Sequence, residues 1–233
     1  MKVAILSDIH GNHFALNEVA NDIVKNDIDT VLVAGDTVGY YYGIKQVLEI
    51  LSNFKMYLTR GNHEEMLGTI MSNSEEIART TKKYGSSLLL ALETLSSSEL
   101  DMLINSEHPK SIKLDNLHLI LAHGSPWDLS LYLYKNSEKS LWKKFTDYPE
   151  QVFVIGHTHM QHIEYFEEKI IINPGSVGQN RRCPGIADWA ILDTELLAVE
   201  FKSSIYSTKK LIEDCKRIDP DVPLLTRMLG DSN

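Results

Sequence analysis

Cysteine is nearly absent from this chain: two residues, Cys183 and Cys215, stand among 233. They form no CxxC pair, which excludes a disulfide framework and a thiolate metal site. Cys183 lies beside Arg181 and Arg182 and reads as a small filler rather than a reactive thiol. Long apolar runs are missing too; none approaches the roughly 20 residues needed to cross a bilayer. Basic residues are in deficit, 23 Lys and Arg against 32 Asp and Glu, for a formal net charge of -9. That balance counts against nucleic acid as a partner, since such surfaces draw their affinity from a basic face. No signal-peptide pattern precedes the first strand, Lys2 to Leu6, so the expected location is cytoplasmic.

What is present is enough hydrophobic residue, 43%, for one substantial core. The first sixty residues alternate strand and helix. An apolar run at 2–7 is followed by Phe14, Leu16, Val19, Ala20, Ile23 and Val24 at helical spacing. Strands at 30–34 and 55–59 flank a helix around 43–52. Alternation of this kind predicts parallel strands with right-handed crossovers, and ligands at the strands' carboxyl ends. From about 64 to 105 the strand pattern gives way to a helical excursion, with a polar stretch at 72–84 between its apolar parts. Strand-rich segments return at 111–121, 151–155, 169–173, 187–193 and 197–202, and a helix follows at about 207–217.

Five short clusters each close one of these strands: Asp8-Ile9-His10, Gly35-Asp36, Gly61-Asn62-His63-Glu64, His123-Gly124 and Gly156-His157-Thr158-His159. Taken singly each has an ordinary structural explanation. Asp8 suits a helix N-cap, Asp36 a turn, Asn62 a turn before a helix, Glu64 a first helical turn, and His123 a structural histidine. Taken in order they offer seven oxygen and nitrogen ligands, enough for two metal ions. If the segment is extended, Asp8 and His10 point the same way and reach one cation. Asp36 is the natural bridge, with one carboxylate oxygen for each metal. Neutral imidazoles here suit Mn, Fe, Zn, Ni or Co. Five of the nine histidines fall in these clusters, whereas His13, His108, His118 and His162 have no such context.

The series SDIHGN, GDTVG, RGNHE, LAHGSP, GHTH and NPGSVG, spanning residues 3 to about 193, resembles the calcineurin-like metallophosphoesterase superfamily and its small prokaryotic phosphodiesterase branch. The resemblance implies an α/β fold, a four-layer α-β-β-α sandwich with the dimetal site at the strand ends. It implies one metal on Asp8, His10, Asp36 and His159, a second on Asp36, Asn62, His123 and His157, and His63 beside the leaving oxygen or the phosphate. Members often carry an aspartate three residues after the bridging one, orienting that histidine. Here the position is Gly39.

The reaction implied is attack of a metal-bridging hydroxide on a phosphodiester, with phosphomonoesters allowed, while His63 donates a proton. The substrate would be a small phosphoester, and a homo-oligomer is open. Alternatives on the same site are a phosphoprotein phosphatase, disfavoured by the missing GDxVDRG signature, and a nucleotide-directed hydrolase. Asn173-Pro174-Gly175-Ser176 could turn backbone amides toward an anion. Arg181, ahead of Arg182, could clamp phosphate, or both could be surface arginines. The aromatics Trp127, Tyr132, Tyr134 and Trp142 read as packing of a lid or dimer contact, with a wall for a stacked base as the alternative.

Overall fold

A computed structural model of the chain describes residues 1–73 and 75–231. Its first half is the expected alternation: β1 (Lys2–Leu6), α1 (His13–Lys25), β2 (Thr30–Ala34), α2 (Ile44–Leu51) and β3 (Lys55–Thr59). β1, β2 and β3 pair in parallel. Four helices come next: α3 (Asn62–Ser72), α4 (Glu75–Tyr84), α5 (Ser87–Thr94) and α6 (Ser97–Ile104). The chain then builds β4 (Lys110–Leu114), β5 (Leu117–Leu121), the short α7 (Lys139–Lys143), β6 (Val152–Val154), β7 (Gln161–Phe166), β8 (Lys169–Pro174), β9 (Ile186–Asp193) and β10 (Ala198–Ile205). It ends with α8 (Lys209–Ile218) and α9 (Pro223–Arg227).

The strands form two five-stranded sheets, ordered β10-β9-β1-β2-β3 and β4-β5-β6-β8-β7. Strand periodicity explains how they pack, because alternate side chains leave opposite faces. Val3 and Ile5 of β1, Leu32 and Ala34 of β2, and Ala190 and Leu192 of β9 face Leu119, Leu121, Val152, Val154 and Ile172 of the second sheet. Their alternates, including Ala4, Leu6, Val31, Val33 and Trp189, face α1, α2 and the α3–α6 helices. On the far side Ile120, Phe153 and Ile171 pack under Trp142 and Phe145. Helix, sheet, sheet and helix therefore stack in four layers. Both inner strand sets are buried on both faces, which is why they read as unbroken apolar runs.

Three elements depart from the expected pattern. The polar stretch at 72–84 contains α4, a helix with no buried residue and hence no apolar stripe to announce it. Region 111–121 is two antiparallel strands, turned at Asp115, whose φ is +51°. β7 is an edge strand with mostly half-buried positions, so Gln161–Phe166 shows no clean alternation. Cys183 is exposed and fills nothing, while Cys215 is buried beside Tyr41, Leu211 and Leu225. No helix among the described residues is long and apolar enough to cross a membrane.

Leu121, fully buried between the sheets, tests the layered core. Leu121→Ala should lower unfolding free energy by about 3 kcal/mol in urea titration, the usual cost of a cavity no neighbour can fill.

Candidate metal centre

The ends of β1, β2, β3, β5 and β6 open on one side, and the five clusters meet there. The chain does not stay extended. Asp8, His10, Asp36, His157 and His159 all have left-handed backbones, with φ of +52°, +51°, +52°, +67° and +59°. Asp8 and His10 therefore converge through successive left-handed turns, not through strand alternation. For residues with a Cβ this conformation costs about 1 kcal/mol each, and such strain gathers where surrounding structure imposes it. Here the imposing contacts are visible. Asp8 N–H donates to Gly35 O at 3.1 Å, His10 N–H to Asp36 O at 2.9 Å and Gly11 N–H to Thr37 O at 2.9 Å.

The side chains are aimed by their outer partners. Nδ1 of His123 lies 2.7 Å from Ala34 O, and Nδ1 of His159 lies 2.7 Å from Gln179 O. His10 Nδ1 is 3.3 Å from Val38 O. A carbonyl can only accept, so each ring carries a proton on Nδ1 and turns Nε2 inward, where its lone pair can ligate once any second proton is lost. Inside, His10 Nε2 and His159 Nε2 stand 3.2 Å apart, and His123 Nε2 is 3.0 Å from both His157 Nδ1 and Asn62 Oδ1. Acceptors held this close repel unless a cation or a proton lies between them.

The carboxylates complete the pattern. Asp8 Oδ2 accepts from Ser7 Oγ–H and His157 N–H, leaving Oδ1 buried without a hydrogen-bond partner among the described residues, 3.2 Å from His159 Nε2 and 3.8 Å from His10 Nε2. Asp36 Oδ1 accepts from His63 N–H at 2.9 Å. Its Oδ2 alone faces both groups, 3.8 Å from His10 Nε2 and 3.3 Å from His123 Nε2. One oxygen of Asp36 therefore faces both groups of rings while the other is taken by the His63 amide. Three overlapping donor sets result: Asp8, His10 and His159; His10, Asp36 and His63; Asp36, His123 and His157. Metal–nitrogen and metal–oxygen bonds of about 2.0–2.2 Å place neighbouring ligands about 3.0–3.6 Å apart, close to the spacings found. The donor set fits a transition metal.

Charge and burial work against each other throughout the pocket. Burial lowers the proton affinity of His10, His63 and His157, the last to about 4. Burial would do the same to His123, but the carboxylates of Asp36 and Asp8 outweigh it and lift that ring to about 10. Asp36 is itself burdened by burial, yet the rings of His123 and His63 hold its carboxyl well below the usual range.

One residue matters more than its sequence context suggested. Glu64, fully buried, accepts four backbone N–H groups: Asp36 at 2.9 Å, Thr37 at 2.7 Å, Val38 at 3.2 Å and Gly61 at 2.7 Å. It ties the loop after β2 to the loop after β3 and so fixes Asp36 against Asn62. Burial and the Asp36 charge push its carboxyl up to about 7 against the pull of those donors. A side chain three residues after a glycine reads as a helix cap; the donors from 36–38 have no local signal.

The segment 173–180 buttresses the Asp8 turn, and this occupies most of the amides it could have offered an anion. Four of them bond within the protein: Gly175 with Asn173 Oδ1, Val177 with Ser7 O, Gly178 with Asp8 O and Gln179 with Ser176 Oγ. Ser176 Oγ–H donates to Asp8 O at 2.8 Å, and Asn173 Nδ2 to Gly156 O at 2.7 Å. A Cβ at Gly178 would collide with Ile9 O, so only glycine lets this loop lie against the Asp8 turn.

At the mouth the two arginines part company. Arg182 pairs with buried Asp188 at 3.1 Å. Arg181 has no carboxylate partner among the described residues; its guanidinium lies 5.9 Å from the ring of Tyr132, which lies tilted by 36° against His157 at 3.9 Å. Trp127 and Trp142 instead pack with Phe145, and Tyr134 lies 6.0 Å from Tyr132. The packing reading holds for the tryptophans, while Tyr132 borders the cluster. His13 sits against Phe14 on α1, and His162 near Trp142, both outside the donor sets.

Comparison with known proteins follows the same lines. A family model for the calcineurin-like phosphoesterase superfamily domain matches residues 1–196. The chain is 29% identical to an uncharacterized protein of Methanocaldococcus jannaschii, over 91% of this chain and 90% of that one. A probable cyclic nucleotide phosphodiesterase of Ruthia magnifica is 28% identical, over 63% of this chain and 69% of its own length. A crystal structure of a metallophosphoesterase from Sphaerobacter thermophilus superposes with a TM-score of 0.74 at 23% identity, covering 98% of both chains.

Two outcomes follow from this geometry. His123 keeps its proton up to about pH 10 without metal, and an imidazolium cannot ligate. Metal uptake at pH 7–8 should therefore release close to one proton, and affinity should rise about tenfold per pH unit across that range. Calorimetry in buffers of different ionisation enthalpy counts the proton. Glu64→Gln keeps the shape but sets an NH2 against two backbone donors. Unfolding free energy should fall by about 2–4 kcal/mol, and metal affinity with it, as read by chemical denaturation and metal titration.

Proposed function

The chain belongs to the calcineurin-like phosphoesterase superfamily, and from that premise we propose that it is a phosphodiesterase working with two transition-metal ions. Asp8, His10, Asp36 and His159 hold one ion, and Asp36, Asn62, His123 and His157 the other. The observation that carries the reading is Asp36 Oδ2, which stands between two sets of inward-facing imidazole nitrogens, 3.8 Å from one and 3.3 Å from the other. Bound there, a metal pair supplies Lewis-acid polarisation of the phosphoryl group and a water acidic enough to attack it near neutral pH.

The protein's own residues do the rest. The buried loops hold the donors rigid and keep bulk water away, so the charge interactions in the pocket are strong. Arg181, unneutralised and beside Tyr132, pairs with non-bridging phosphoryl oxygens. His63 belongs to one of the donor sets, and burial lowers its proton affinity in the free protein. The approach of an anionic ester raises that affinity, so the ring takes up a proton from solvent and passes it to the leaving oxygen as that bond breaks. Mn, Fe, Zn, Ni and Co all suit this mixture of carboxylate, amide and imidazole donors.

A nucleotide-directed substrate is the second reading. It is supported by the Tyr132 ring, 44% exposed at the rim, and by the name of the Ruthia relative.

Asp36→Asn should lose bound metal, read by elemental analysis, and lower turnover at least about 100-fold. Full activity in a metal-loaded Asp36→Asn protein would overturn the bridging assignment. Parallel assays of a mono- and a diester of the same chromogenic phenol, with manganese, nickel or zinc added, should show the diester preferred. Faster monoester turnover with every metal would sink the diesterase reading.

A further inference from the structure

Among the described residues, no hydrogen-bonding side chain orients the ring of His63. Its Nδ1 is buried without a partner among the described residues. The position from which a carboxylate could reach it is Gly39, with φ of +103°, and a Cβ there would collide with His63 Nδ1. No side chain fits between the backbone at 39 and this imidazole. The ring must be held in some other way, because an imidazole free to turn about two side-chain torsions places its proton badly.

Aromatic rings surround it instead. Tyr40 lies 4.9 Å from the His63 centroid at 39°, Tyr84 meets it edge-on at 5.1 Å and 71°, and His10 closes a third side at 4.9 Å and 73°. Tyr84 also meets Tyr40 edge-on, at 5.5 Å and 86°. Edge-to-face arrangements of this kind are the attractive ones. Tyr40 is held in a left-handed backbone, φ +52°, which brings its ring back over the pocket.

Both tyrosines hang from one anchor. Asp219, in the turn after α8 and 8% exposed, accepts from Tyr42 Oη–H at 2.9 Å, two residues from Tyr40. It also accepts from Ser86 N–H at 2.8 Å and Ser86 Oγ–H at 2.5 Å, two residues from Tyr84. Gly85, φ +82°, allows the close pass, since a Cβ there would lie 2.6 Å from Asp219 Oδ2. The anchor is needed because α4, which ends in Tyr84, buries no residue of its own. Residue 219 also lies beyond the stretch 1–196 that the family model matches.

We propose that Tyr84, together with Tyr40, is a positioning residue that aims the His63 imidazole in place of a carboxylate, and that Asp219 sets both rings. The proposal rests on His63 acting as proton donor. It makes the helical excursion and the C-terminal segment working parts of the site.

The test is a double-mutant cycle on the metal-loaded enzyme with aryl phosphodiesters of good and poor leaving groups. Tyr84→Ala should lower kcat about tenfold for the poor leaving group and much less for the good one, with KM within about twofold and metal content unchanged. Tyr84→Phe, which restores the ring, should recover most of the rate, and Asp219→Asn should fall between. In a His63→Gln background, Tyr84→Ala should have no further effect. Additive losses, or an unchanged kcat in Tyr84→Ala, would overturn the proposal. A second readout needs no activity. In metal-free protein, diethyl pyrocarbonate should modify His63, located by mass spectrometry, faster in both Tyr84→Ala and Asp219→Asn. An unchanged rate in both variants overturns the proposal on its own. If His63→Gln instead leaves the leaving-group dependence intact, the proton-donor reading fails, and the modification rate alone then decides whether Tyr84 holds the ring.

Discussion

Ring nitrogens of several imidazoles and the oxygens of two carboxylates point into one buried space, and much else in the structure answers to that crowding. His10 and His159 bring Nε2 atoms to 3.2 Å, and His123 and His157 bring ring nitrogens to 3.0 Å. Without cations such an arrangement is held only by neutralising protons, such as the one on His123. With cations the same lone pairs become bonds. The protein therefore folds around a cost that a metal turns into a gain, and metal binding and the stability of these loops are one equilibrium viewed from two sides.

Holding that arrangement requires force from outside it. Five of the seven proposed ligands sit in left-handed backbone, so local preference opposes the site at most of its positions. The opposition is met by convergence of strands and by buried polar partners. Two sheets press together through Leu32, Leu121 and Val154, fixing where the strand ends stand. Glu64 gathers the amides of 36–38 and 61, and the 173–180 segment seals the turn at Asp8. These partners satisfy backbone groups that the tight turns would leave bare, each worth about 1–3 kcal/mol if buried unpaired.

Much of this was legible in the sequence, and the limits of legibility have a physical cause. Apolar runs such as Val3 to Leu6 and Val31 to Ala34 announce strands buried on both faces, and a cluster at each strand end marks its residues as neighbours. Both signals are local. Glu64 escapes because its donors come from a loop up to 28 residues away, Tyr84 because it reaches His63 from the end of a helix with no buried face, and Asp219 because it joins Ser86 across 133 residues. β7 and α4 are missed for the opposite reason: an exposed edge and an exposed helix bury too little to impose a pattern. Left-handed ligands are hidden because spacing of two residues suits an extended strand and a turn equally.

Gly39 shows how a local departure propagates. A carboxylate beside this buried imidazole would add a hydrogen bond, but also a further negative charge to a pocket that already holds Asp8 and Asp36. An aromatic enclosure orients a ring without adding charge, and so leaves the electrostatics to Asp8, Asp36 and whatever cations they hold. Its weakness is that rings direct by packing alone and need rigid supports. A tyrosine at the end of a helix that buries nothing of its own is a poor support by itself. Asp219 stands where its oxygens accept from Ser86 and Tyr42, away from the proposed metal ligands. Under the proposed arrangement, orientation and charge, which one aspartate would couple, are separated between two rings and a distant anchor.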